Sequence, residues 1–98
     1  MAIHVGVARL ELHIPENGSL KTKRMVVKSV VQRVRNRFNV AVAEVDTQDV
    51  WQVATLGIVC VSADRRHANE IMSKVVAFIE SERLDADVGE VEVEFMAL

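Results

Sequence analysis

The sequence predicts an α+β fold of the ferredoxin-like type, a βαββαβ sandwich, on three observations. Apolar residues alternate at period two near both ends, recur at helical spacing in two interior segments, and form a hairpin pattern between those segments. Right-handed crossovers then give an antiparallel sheet of order 4-1-3-2 with two helices on one face. Ninety-eight residues, half of them apolar, suit a single domain over 1–98 with a modest margin of core, which oligomerisation would widen.

The first strand is expected from Ile3 to Ile14, where Ala8, Leu10 and Leu12 alternate with Arg9, Glu11 and His13 before Pro15, Asn17 and Gly18 break the pattern. Ser19 stands at a helix N-cap position, and Leu20, Val27, Val30, Val31, Val34 and Phe38 share one helical face. Single valines are poor helix formers, so periodicity and length carry this assignment. Asn39 to Val45 reads as a short strand, Asp46 to Asp49 as a turn, and Val53 to Val61 as the return strand of a hairpin. Ser62 or Asp64 caps a second helix whose apolar stripe is Ala68, Ile71, Met72, Val75, Val76 and Ile79. Asp85, Asp87 and Gly89 are expected to form its exit loop. In the last strand Val91, Val93 and Phe95 face one way and Glu90, Glu92 and Glu94 the other.

Both faces of the two central strands are apolar: Val5, Val7, Val59 and Val61 oppose Gly6, Ala8, Ile58 and Cys60. The helices cover only one face, so those four valines are expected to form an oligomer interface, a homodimer through the sheet. A single cysteine in an apolar run is expected to be a buried core thiol, consistent with a reducing, cytoplasmic location. The N-terminal sequence reads as a strand, without a signal-peptide pattern, and no stretch approaches the length of a membrane span.

Charge is strongly segregated beneath a net value of −2. Seven of the 12 basic residues lie between Lys21 and Arg37, no acid occurs between Glu16 and Glu44, and Glu80 to Glu94 holds seven acids against Arg83. Cations in a first helical turn oppose the helix dipole, and like charges at i,i+4 cost about 0.2–0.5 kcal/mol per pair. Either carboxylates of this chain or phosphates of a partner must therefore compensate Lys21, Lys23 and Arg24.

The motifs Ser19-Leu20-Lys21-Thr22-Lys23-Arg24, Phe38 through Asp46, Gln48-Asp49-Val50-Trp51-Gln52 and Leu56-Gly57 give nearly the whole chain a close resemblance to the YlxP-like family, small bacterial domains of unknown function. The resemblance implies a ferredoxin-like fold and a bacterial cytoplasmic protein whose relatives are often encoded near translation and ribosome-maturation factors. It supplies no catalytic residues.

Topology gathers the start of the first helix, the hairpin carrying Asp46, Asp49 and Trp51, and the loop carrying Asp85 and Asp87 at one end. Lys21, Lys23 and Arg24 there are either paired with those carboxylates or form an anion site with the helix amides and Ser19. Lys21, Arg24, Lys28 and Arg35 fall on one helical stripe, with Arg33 and Arg37 on the other flank. The opposite end is expected to gather Arg35, Arg37, Arg65, Arg66 and His67 with only Asp64 nearby, which makes it the stronger candidate for RNA phosphate. Trp51 reads as a packing residue anchoring the hairpin, or else as a stacking platform; with Asp49 and Gln52 it is a candidate partner contact.

Several chemistries are disfavoured. Valines on the central strands rule against base stacking there, and Asn17-Gly18-Ser19 lacks P-loop spacing. His4, His13, His67 and Cys60 lack metal-ligand spacing, and Glu44, Asp46 and Asp49 read as a polar turn before a hard-cation site. No catalytic residues and no cofactor are expected. The leading expectation is a non-catalytic RNA- or ribosome-associated factor using its basic first helix. The alternatives are a module binding an acidic protein surface and a small phosphate-ester enzyme.

Overall fold

The computed structural model describes residues 2–14, 19–82 and 86–98. Strands β1 (His4–His13), β2 (Ala41–Val45), β3 (Val53–Ser62) and β4 (Asp87–Ala97) alternate with helices α1 (Leu20–Arg37) and α2 (Arg65–Ser81) in the order βαββαβ. The sheet is antiparallel, with spatial order β2-β3-β1-β4, which is the expected 4-1-3-2 read from the other edge.

Capping starts both helices. The Ser19 hydroxyl accepts from the Thr22 N–H at 3.1 Å, and the Asp64 carboxylate accepts from the Arg66 N–H at 2.8 Å. Val27, Val30 and Val34 of α1, with Ala68, Met72, Val75 and Ile79 of α2, close over Ala8, Leu10, Leu12, Ala54, Leu56, Ile58 and Cys60. Cys60 is a buried free thiol whose Sγ lies 3.7 Å from the Ala68 carbonyl. Close approach of α2 requires Gly6, because a Cβ there would meet Cys60 Sγ at 2.9 Å and both Met72 and Phe95 at 3.1 Å.

The exit-loop boundary is corrected. Asp87 and Gly89 belong to β4: Asp87 pairs with His13 and Val88 with Leu12, and the register then shifts so that Gly89 and Glu90 bulge opposite Glu11. The His13 ring occupies the space a Cβ at Gly89 would need. Asp85 lies outside the described residues.

One dimension differs from expectation. β2 has only five residues and begins opposite Val59, three residues short of the end of β3, so the edge strand pairs with only part of its neighbour. Among the described residues, no helix is long and apolar enough to cross a membrane.

Candidate functional site

Among the described residues Lys23 is the most deeply buried basic side chain, with no exposed surface. It lies four residues before Val27 on the core stripe of α1, and its Nζ sits 2.7 Å from Glu44 Oε2. That ammonium also donates to the carbonyls of Thr47 and Val50, the latter at 2.5 Å. Glu44 itself points to the helix side because it alternates with Ala43 and pairs with buried Leu56. Lys23 is therefore withdrawn from the anion-binding set: its charge is consumed inside the protein. Its partner is Glu44, not the Asp46, Asp49, Asp85 or Asp87 carboxylates that sequence reasoning considered. The signal was present in both periodicities, Lys23 at i−4 and i−7 from Val27 and Val30, and Glu44 two residues on from Val42.

This contact knits the 46–52 loop to the start of α1. Within the loop, the Val50 N–H donates to the Thr47 carbonyl at 3.0 Å, and the Thr47 hydroxyl accepts from the Thr55 N–H at 2.7 Å. The Gln52 carbonyl accepts from the Ile14 N–H at 2.8 Å. Asp46 adopts φ 62° and turns its carboxylate toward Arg9 on the helix-free face, 2.8 Å away. Asp46 thereby leaves the start of α1, where the Ser19 hydroxyl is occupied as a cap. Trp51, expected as a packing residue of the hairpin or a stacking platform, is 47% exposed, beside Val50 at 45%. Asp49 and Gln52 are exposed.

Above this loop the stripe of Lys21, Arg24, Lys28 and Arg35 runs down the exposed flank of α1. Arg35 donates to the Val42 carbonyl at 3.0 Å, which fixes this flank over the β2 edge of the sheet. Lys21, Arg24 and Lys28 make no ion pair or hydrogen bond among the described residues. From Lys21 to Arg35 the stripe extends about 21 Å at the helical rise.

The second expected cluster is not assembled. Arg37 lies over the Phe78 ring, 5.1 Å from its centroid, whereas Arg65 lies over Phe95 at 5.4 Å. Phe78 and Arg65 are about 20 Å apart along α2, so the rings that hold Arg37 and Arg65 keep the two guanidinium groups apart. Arg66 and His67 lie 3.9 and 3.8 Å from Glu70, so Asp64 is not the one acid at that end. Arg33, on the same flank as Arg37, lies 4.0 Å from Glu82.

On the helix-free face Val5, Val61 and Met96 form one cross-strand row, and Val7 and Val59 form the next with Ala41 and Glu94. Ile3 and Leu98, joined by two backbone hydrogen bonds, extend the apolar end. Val59, Val61, Ile3, Met96 and Leu98 are all exposed. Toward the other end the same face turns polar, with Arg9 beside Glu92 and Glu11 beside His13.

Among the described residues no group of three or more His, Cys, Asp or Glu side chains is arranged to hold a metal. The fold and surface define a small ferredoxin-like α+β protein with one basic helix flank, a pinned loop and an uncovered apolar sheet end. The chain belongs to the DUF503 family, described as proteins of unknown function, whose family model matches residues 5–93. It is similar to the uncharacterized protein YlxP of Bacillus subtilis (strain 168), with 43% identity over 77 residues, covering 79% of this chain and 84% of that protein.

Proposed function

We propose that this protein is a non-catalytic, cytoplasmic RNA-binding factor that meets ribosomal RNA or a ribosomal particle through the outer flank of α1. The observation that carries the reading is the row Lys21, Arg24 and Lys28, exposed, extended along one helix and unpartnered among the described residues. Such a row suits a run of phosphates better than a point ligand, and contacts to phosphate position a partner without specifying bases. Arg35 adds a fourth charge already oriented by the Val42 carbonyl. Arg37, Arg65 and Arg66 contribute at the periphery, since rings or Glu70 hold them apart from the stripe.

Filter binding of ribosomal RNA and intact particles across a salt series tests this. Each lost phosphate contact flattens the dependence of log K on log salt by about 0.7–0.9, so Lys21→Ala, Arg24→Ala and Lys28→Ala each lower the slope by that amount and leave the fold intact. Wild-type protein with no salt-sensitive affinity for either refutes the reading. Capture of an acidic protein by the same stripe would then replace it.

A second element of the proposal is self-association. The apolar patch is confined to the Ile3, Val61 and Leu98 end of the helix-free face. A two-fold pairing places apolar end on apolar end across the Val5 and Val61 row and the Val7 and Val59 row, with Glu94 at the margin of the overlap and Glu90 and Glu92 outside it, in water. The basic flanks lie on the opposite side of the sheet and stay open in such a dimer.

A further inference from the structure

We infer that Trp51 is a base-stacking platform next to the cationic stripe, so that the preferred ligand of this surface is single-stranded RNA. The inference rests on the proposed phosphate reading of α1 and adds the class of nucleic acid to it. Three observations converge on it. Trp51 and Val50 are neighbouring large apolar side chains that remain 47% and 45% exposed at a loop tip. The backbone on both sides of Trp51 is fixed: the Val50 carbonyl accepts from Lys23 Nζ at 2.5 Å, and the Gln52 carbonyl accepts from the Ile14 N–H at 2.8 Å. The clamp on Val50 comes from α1 itself, from the residue between Lys21 and Arg24 on the chain, which holds the loop carrying the tryptophan against the first turn of α1, where the cation row begins.

A flat aromatic surface and a row of cations are the two parts from which sequence-tolerant single-strand sites are built, the ring taking a base and the cations tracking the backbone. Duplex RNA keeps its bases stacked on one another and offers none to such a ring. An aromatic presented on a clamped loop also loses little conformational freedom on binding. Asp49, exposed in the same loop, is the one carboxylate there without an ion pair among the described residues, and it opposes phosphate approach.

The chain has one tryptophan and no tyrosine, so its intrinsic emission reports on this residue alone. The test titrates full-length protein with oligoadenylate and oligouridylate single strands and with an RNA duplex of equal charge, following emission and filter retention together. Expected are emission quenching that follows the retention isotherm for single strands, stronger with adenylate than uridylate, and no quenching by duplex. Trp51→Phe retains most of the affinity, Trp51→Ala loses about tenfold or more, the scale for one stacked base, and Asp49→Asn tightens binding. Equal quenching by duplex overturns the inference. Salt-sensitive retention with unchanged emission, and with Trp51→Ala binding like wild type, also overturns it while leaving the phosphate reading intact. Absence of any retention overturns both.

Discussion

Replacing Lys23 with methionine isolates the contact that organises the site. Methionine preserves the buried stem of the side chain but removes the charge, leaving Glu44 with its carboxylate on the inner face and only 15% exposed, and removing a donor from both the Thr47 and Val50 carbonyls. Breaking one half of a buried pair costs about 3–5 kcal/mol. β2 is an edge strand, so Glu44 can swing toward water and the loss falls at the lower end, about 3 kcal/mol. For a domain near one hundred residues that is a fall of about 12–24 °C in Tm, at roughly 4–8 °C per kcal/mol. Thermal and urea unfolding followed by circular dichroism measure it, with Lys28→Met as the exposed control, expected within about 0.5 kcal/mol of wild type. Adding Glu44→Gln to Lys23→Met removes the stranded charge and should recover at least about 1 kcal/mol of coupling. A Lys23→Met protein within about 1 kcal/mol of wild type, with Glu44→Gln acting independently, would refute the buried lock.

Two further outcomes are expected. Gly6→Ala forces a methyl against Cys60, Met72 and Phe95 at 2.9–3.1 Å, an overpacking cost of about 1–3 kcal/mol; a variant as stable as wild type in urea would show that α2 can stand off the sheet. Light scattering at about 10 μM, a concentration at which a modest interface with Kd near 1 μM is largely filled, should return a dimer. Val61→Asp, at a side chain 64% exposed in the isolated chain, should convert it to monomer with little change in Tm, and a monomeric wild type would remove the interface.

Most of the architecture is legible in the sequence because period two and period 3.6 are visible in Val91, Val93 and Phe95 and in Val27, Val30 and Val34 without knowledge of neighbours. Boundaries were less so. Gly89 reads as loop because glycine breaks strands in general, whereas here it sits in a bulge that makes room for the His13 ring, a contact from another strand. The site was half legible. Lys21, Arg24 and Lys28 follow from helical spacing alone, but residue type groups Lys23 with them although its position places it on the apolar stripe. The Arg35, Arg37, Arg65 and Arg66 cluster failed for a metric reason. Topology says which ends of elements lie together, but the place where α1 stops depends on its register against β2, and that is set by packing over the sheet.

Lys23 also explains why the neighbouring cations are available at all. Glu44 is the acid of β2, the strand beneath the basic flank, and an unpaired carboxylate there would neutralise one of Lys21, Arg24 or Lys28. Pairing it inside with Lys23 removes that competitor. Asp46 is removed differently: its positive φ carries the chain around so that its carboxylate meets Arg9 on the far side of the sheet. The acids of β4 lie at the opposite edge and, for Glu90, Glu92 and Glu94, on the helix-free side. A chain with net charge −2 therefore presents a polyanion with one attractive flank and one repulsive edge, an arrangement that orients the molecule before contact. Of the carboxylates in the described 46–52 loop only Asp49 is exposed without an ion-pair partner among the described residues, which makes it the natural place for affinity to be set without touching the fold.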